Sequence, residues 1–313
     1  MAVGWIGVDL FFVLSGFLIS GLLFSEYKAT GAISFSRFFI RRAFKIYPAY
    51  YFFLLLLLPF TFHHIKVADA TFMQSYLPAF WGHGWSLAIE EHFYVALPLL
   101  LILCSRLTPT TSFSWIPFAM PVIALACFLM RIQVGAVHFL NATHLRFDTL
   151  FAGVTLGWFW HFRRESFNIK RKNWLAGIGM ALASGAFYSP VFSYSMYTIG
   201  LSANLLGFSC FLVWALNTPT LGKLRPLSGV GFYSYSIYLW HWPIALLYQS
   251  LGLSNLLIFW LYIGTCIAVG ILTTKLIETP MLRIRDHYFP ALKRPVSARA
   301  SEVLRMSRPM PSV

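Results

Sequence analysis

Apolar residues along this chain come in runs of roughly twenty, the length a helix needs to cross the hydrocarbon core of a bilayer. Nine such runs are visible, at about 5–24, 46–62, 85–104, 114–133, 144–162, 173–192, 196–216, 229–250 and 255–277. They predict an all-α fold, a polytopic membrane helix bundle with about nine transmembrane helices and short loops. The second run is short and follows an amphipathic basic stretch, so part of it is expected at the membrane interface. Residues 1–280 read as one transmembrane domain. Residues 281–313 read as a basic cytoplasmic tail, weakly apolar and expected to be disordered.

Composition supports the same class. Of 313 residues, 58% are hydrophobic and only 11% charged, and mean hydropathy is +0.68. Soluble globular domains carry about 25% charged residues. The net charge of +14 fits cytoplasmic loops beside anionic lipid, and nucleic acid is not expected as a partner. Cys104, Cys127, Cys210 and Cys266 all lie in apolar stretches without metal-ligand spacing and read as packing residues; no metal is expected.

Loop charges orient the chain. With the first helix starting outside, 21 of the 24 Lys and Arg residues fall inside, and only Lys66, Arg131 and Arg146 fall outside. An odd number of spans then leaves the N-terminus outside.

Ionisable groups within the bilayer are costly and so mark candidate function. Asp9 lies near the outer end of the first helix, where it is either a functional acid or an interfacial carboxylate. The segment WSLAIEEHFY places Glu90, Glu91 and His92 in an otherwise apolar helix. Ser86, Glu90 and Tyr94 share one face at i, i+4 spacing, and Glu91 lies about 100° away. One carboxylate can therefore face the bundle interior while its neighbour faces another helix or the rim. The alternative is a structural hydrogen-bonded pair. In HLRFDTLFAG, His144 and Asp148 share a face and Arg146 points largely the other way, so the three are either a site or a rim salt bridge. Arg37, Arg41 and Lys45, with Arg42 beside them, form a basic stripe about 12 Å long. It serves either as positive-inside anchoring or as a cradle for a phosphorylated ligand. His241 lies between two tryptophans. Gly153 and Gly157 read as a helix-packing pair, and Asn141-Ala-Thr143 is a sequon of low specificity. The acids and histidines thus collect toward the outer half and the basic stripe inside.

Six strings carry a resemblance: GVDLFFVLSGFLIS (Gly7 to Ser20), FIRRAFKIYPAYY (Phe39 to Tyr51), WSLAIEEHFY (Trp85 to Tyr94), HLRFDTLFAG (His144 to Gly153), SYSIYLWHWPI (Ser234 to Ile244) and LIETP (Leu276 to Pro280). In this order they resemble the integral membrane acyltransferase family 3, whose members typically have ten helices and O-acylate saccharides and related acceptors. The resemblance implies a cytoplasmic acyl-CoA, commonly acetyl-CoA, as co-substrate and a saccharide or lipid-linked glycan as acceptor. It also implies residence in the bacterial cytoplasmic (inner) membrane. Arg41 and Arg42, with Lys45 where many members carry Arg, match the basic positions suited to CoA phosphates. Glu90 matches the acid of the WSL motif, Asp9 that of the GVD motif, and Arg146 and Asp148 the R-x-D element. Family members usually carry an earlier helix bearing an Arg and a catalytic His. The sequence given starts at Met1, shortly before the GVD motif. That sets the expectation of low or no transfer by these residues alone, with His144 or His241 only weak substitutes for that base. The rival expectations are a proton-coupled transporter or flippase built on the same acids, and a non-catalytic remnant of the enzyme.

Overall fold

The computed structural model describes residues 6–61, 65–107, 113–134, 141–167, 169, 172–188, 193–218, 225–251 and 256–290. Each of the nine apolar runs is helical where it is described, apart from the turn at Ser114 and Trp115 that leads into the fourth. The α-helices are α1 (Ile6–Thr30), α2 (Phe35–Thr61), the short α3 (Val67–Thr71), α4 (Trp85–Leu107), α5 (Ile116–Val134), α6 (Thr143–Phe162), α7 (Asn173–Tyr188), α8 (Leu201–Leu216), α9 (Arg225–Ser250), α10 (Leu256–Thr273) and α11 (Thr279–Tyr288). No strand occurs among the described residues. By length and apolarity, six of the described helical segments could cross a membrane: Ile6–Thr30, Phe35–Thr61, Gly82–Leu107, Ile116–Val134, Met196–Leu216 and Leu257–Tyr288. The protein is a multi-pass membrane protein.

Two boundaries differ from the sequence expectation. Helix α2 begins at Phe35, eleven residues ahead of its apolar run, because Arg37, Arg41 and Lys45 occupy one side of a regular helix and meet acidic partners there. The turn before it is closed locally. Gly31 takes a φ of +73° at the end of α1, a conformation that suits glycine. Its N–H donates to the Tyr27 carbonyl at 2.8 Å, and Ser34 Oγ accepts from the Arg37 N–H at 3.4 Å. At the other end, residues 281–288, assigned by sequence to the tail, continue in α11. Pro280 has no N–H to offer the carbonyl four residues back. Just before it the chain makes one wide π-helical turn, Thr274–Glu278, before resuming as α11. Residues 291–313, the rest of the expected tail, lie outside the described residues.

Helix α1 is the central element. It packs most extensively on α6, and also on α4 and α8; α5 lies on α6, α7 on α8, and α9 on α10, while α2 leans on α4, α9 and the π turn. Helices in lipid gain little from burying apolar surface against one another, so close backbone approach and polar bonds decide their association. The approach is closest at α1–α6. A Cβ on Gly16 would collide with the Leu150 carbonyl, one on Gly153 with the Val13 carbonyl, and one on Gly157 with Ser20 Oγ. The Gly153–Gly157 pair thus packs helices, as its spacing implies. Gly179 and Gly207 play the same part between α7 and α8, each approaching the other's carbonyl within 3 Å of where a Cβ would sit.

A Gly153→Leu chain is expected to lose the α1–α6 contact, a loss of at least about 3 kcal/mol at an overpacked site. Gly177→Ala, where a Cβ meets nothing within 4 Å, is expected to be neutral or to stabilise by up to about 1 kcal/mol. Thermal melting of the detergent-solubilised protein, with monodispersity as a second readout, separates the two.

Candidate functional site

The α1–α6 contact brings Asp9 onto Arg146, and the ion pair is buried at both partners, 1% and 4% exposed. Asn204 Nδ2 of α8 donates to the second Asp9 oxygen at 2.9 Å. Next to it, Arg131 of α5 pairs with Asp148 at 2.9 Å and also donates to the Leu145 carbonyl at 3.0 Å and Ser202 Oγ at 3.1 Å. The Arg146 guanidinium lies over the rings of Phe12 and Trp85, at 5.8 and 5.7 Å from their centroids. Two cations and two anions from α1, α5 and α6 therefore cancel, with α8 supplying neutral hydrogen bonds. Arg131 and Asn204 were not singled out from sequence. Arg131 lies in the last turn of its apolar run and was counted as a loop charge, although an arginine at a span end is also where a buried pair forms.

Of the HLRFD residues, Arg146 and Asp148 enter this lattice and His144 does not. His144 is exposed, stacks on Tyr76 at 5.8 Å between centroids and shares a hydrogen bond of 3.2 Å with its hydroxyl. His92 also turns away from the acids, bonding Thr143 Oγ1 at 2.7 Å.

Glu90 and Glu91 diverge as helical spacing requires. Glu90 is 6% exposed and Glu91 7%. Ser15 Oγ of α1 donates to Glu90 Oε1 at 2.5 Å, and the Tyr94 hydroxyl one turn on donates to the same oxygen. The Tyr47 hydroxyl of α2 donates to Glu91 Oε2 at 2.9 Å, leaving buried Glu91 Oε1 without a partner. Among the described residues no Lys, Arg or His comes within 4 Å of either carboxylate. The nearest cation in the arrangement is Arg42, held over the rings of Tyr94 at 5.5 Å and Phe38 at 5.9 Å. Ser86, on the same face as Glu90, bonds the Tyr238 hydroxyl of α9 at 2.6 Å.

The basic stripe divides. Arg37 lies 3.6 Å from Glu26. Arg41 reaches the Phe289 carbonyl and, at 3.1 Å, Asp286, which is half-exposed. Lys45 pairs with the fully buried Glu278 of the π turn, whose other oxygen accepts from Ser236 and, at 2.9 Å, from Thr274. Arg42 alone of the four has no carboxylate partner among the described residues, and it alone faces the Glu90 side of α2.

The start of α4 is fixed by a carboxylate that sequence reasoning passed over. Asp69, fully buried, accepts backbone N–H groups from Lys66 at 3.0 Å and from Phe80 and Trp81 at 2.9 Å each. The Tyr50 hydroxyl ties α2 to its carbonyl at 2.5 Å. His241 hydrogen-bonds within its own helix, to the Tyr238 carbonyl, and packs edge-on against His83 at 5.5 Å. Among the described residues no group of three or more His, Cys, Asp or Glu side chains is placed to hold a metal ion.

The sequence model of a family described as an acyltransferase domain, Acyl_transf_3, matches residues 2–275. Curated relatives include O-acetyltransferase OatA of Staphylococcus aureus, in strains MRSA252 and NCTC 8325; each is 27% identical over 356 aligned positions, covering 99% of this chain and 58% of the relative. The chain thus spans little more than half the length of these relatives. No solved structure matches.

Asp9→Asn is expected to cost about 3 kcal/mol, since it leaves Arg146 buried without its counter-charge. Adding Arg146→Gln should restore part of that loss. Asp286→Asn, at the half-exposed pair, should change stability by less than about 1 kcal/mol. A double-variant cycle of melting temperatures tests this, and additive losses at Asp9 and Arg146 would contradict a direct pairing.

Proposed function

The chain belongs to acyltransferase family 3, and from that premise we propose that it moves an acyl group, acetyl being the simplest case, from cytoplasmic acyl-CoA to a hydroxyl of a saccharide or glycosylated acceptor. The observation that carries this reading is the pair of buried, cation-free carboxylates Glu90 and Glu91, held by hydroxyls from three helices, with the uncommitted Arg42 beside them. Buried acids left without a counter-charge are expensive, and positioned proton exchange is what such groups offer chemistry.

The reaction fits the arrangement. The acceptor oxygen bonds to the acyl carbon, the carbon–sulfur bond breaks, and the proton lost by the hydroxyl leaves with CoA as its thiol. Arg42 meets the CoA phosphates, joined by Arg41, whose half-exposed Asp286 partner is readily exchanged for phosphate. Lys45 holds the α2–π-turn contact, because releasing it would strand the buried Glu278. Glu90 orients or exchanges protons with the base. Asp9, Arg131, Arg146 and Asp148 hold the helices that frame it. With the Lys28 and Arg37 end of the bundle inside, the Asp9 end faces out.

The test uses the full chain in lipid nanodiscs. Arg42→Ala is expected to weaken acetyl-CoA binding about tenfold or more by calorimetry, and Glu90→Gln to leave binding intact while abolishing the low thiol release expected of the parent chain when a saccharide acceptor is supplied. Binding without any thiol release in the parent chain would favour a non-catalytic remnant. Absence of acetyl-CoA binding would overturn the reading.

A further inference from the structure

At the Asp9 end of the bundle, the 3-10 turn Gly82–Gly84 and the middle of α9 build an aromatic cluster that the acyl-transfer reading leaves unused. Phe53 lies at its centre, with ring centroids of Trp81 and Trp240 each at 5.2 Å and of His83 at 6.2 Å. His83 in turn stacks on Trp242 at 6.2 Å and an interplanar angle of 21°. Trp242 is 41% exposed and Gly82 is exposed, so one edge of the cluster lies at the surface of the bundle.

Three buried side-chain nitrogens in this one cluster have no hydrogen-bond partner: Trp81 Nε1, Trp240 Nε1 and His83 Nδ1. Buried polar atoms are seldom left unpaired. Their chemistry is complementary. Each indole N–H is a donor only. His83 Nε2 lies 3.3 Å from the Leu239 carbonyl, which can only accept, so Nε2 carries the hydrogen and Nδ1 of the neutral ring is an acceptor. The backbone at this point is held from below, the Tyr238 hydroxyl donating to the His83 carbonyl at 2.5 Å. Two donors and one acceptor set among aromatic faces, with the nearby Asp69 carboxylate already taken up by the backbone N–H groups of Lys66, Phe80 and Trp81, match a neutral ring bearing hydroxyl groups. A hydroxyl both accepts and donates, and the faces of the sugar's carbon–hydrogen bonds lie against aromatic rings.

We propose that Trp81, His83 and Trp240 form a recognition subsite for a hydroxyl group of a neutral polyol or sugar, with the indole N–H groups donating to it and His83 Nδ1 accepting from it. That this hydroxyl belongs to the acyl acceptor rests on the acyl-transfer reading; that the cluster binds such a molecule does not. The Ser86–Tyr238–His83 hydrogen bonds connect the subsite to the face of α4 that carries Glu90 one turn on.

Ligand-observed NMR on the full chain in nanodiscs, with methyl glucoside, myo-inositol and glucuronate as probes, tests the subsite. The two neutral probes are expected to bind, and glucuronate to bind no better than methyl glucoside. Trp81→Phe and Trp240→Phe keep an aromatic ring but lose the N–H together with the five-membered ring of the indole, so each should weaken binding about fivefold, with the melting temperature of each variant read alongside to show that it remains folded. His83→Phe, which keeps an aromatic ring and removes both ring nitrogens, should do at least as much. Trp160→Phe, at the opposite end of α6, should change nothing. The proposal is overturned if neither neutral probe binds, if the Trp81 and Trp240 variants bind as the parent does, if Trp160→Phe weakens binding equally, or if glucuronate binds preferentially. Acetyl-CoA binding measured on the same preparations decides the acyl-transfer reading separately, so the two can fail independently.

Discussion

The close crossing of α1 and α6 is the constraint from which the interior of this protein follows. Lipid tails are as apolar as the side chains they would replace, so nothing drives these helices together except contact and polar bonding. Glycines at positions 16, 153 and 157 let backbone meet backbone. The same register sets Asp9 against Arg146 one or two turns toward the end of the bundle. It also leaves Ser15, next to Gly16, facing across to Glu90 on α4. A side chain at any of the three glycines would therefore act beyond local packing: it would separate a buried ion pair and withdraw a hydrogen bond from the candidate catalytic acid.

The buried charges fall into two kinds. Asp9 and Arg146, and Arg131 and Asp148, are matched one to one and fully desolvated. Such pairs contribute little net stability but make any arrangement that separates them costly, so they specify how α1, α5 and α6 sit. Glu90 and Glu91 are compensated differently, by the hydroxyls of Ser15, Tyr94 and Tyr47. A hydroxyl can donate to a carboxylate or accept from a carboxylic acid, whereas a guanidinium only donates. The first kind of environment fixes one protonation state; the second accommodates two. That difference distinguishes the two groups more sharply than burial does, since all these residues are buried alike.

Much of this was legible in the sequence. Runs of apolar residues located the helices, and the Glu90–Glu91 offset of about 100° implied that the two acids diverge, leaving another helix or the rim for the second; the structure turns Glu91 to Tyr47 of α2. Gly153 and Gly157 read correctly as packing residues. What the sequence hid was set by partners distant in the chain. Arg131 reads as a loop charge until α6 lies beside it. Asn204, neutral and alone in an apolar run, carries no signal without Asp9. The helical start of α2 was concealed because apolar-run counting stops where charges begin, and the acids that solvate those charges, Glu26, Glu278 and Asp286, lie on other elements. His144 and Asp148 share a face by spacing, yet at the start of α6 only the deeper of the two is covered by neighbours, and His144 turns to Tyr76.

The basic stripe shows why spacing alone cannot assign a phosphate site. Arg37, Arg41 and Lys45 are equivalent by period, but their partners differ in what release would cost. Freeing Arg41 exposes a carboxylate already half in solvent; freeing Lys45 strands one that is wholly buried. Arg42, off the stripe, is held only by aromatic faces, which a guanidinium can share with a phosphate bound edge-on. The cation best placed to receive an anionic ligand is thus the one that the period leaves out, and it is also the one nearest the acids. From Asp9 to Lys28, helix α1 spans about 29 Å, so a donor entering at the basic end and an acceptor held near His83 are separated by most of a bilayer. Glu90 lies between them on α4, which packs on α2 and bonds the Tyr238 hydroxyl of α9 through Ser86. In the proposed acyl transfer the group passes that level, which is why the proposal rests on the carboxylates of Glu90 and Glu91 rather than on the more conspicuous ion-pair lattice.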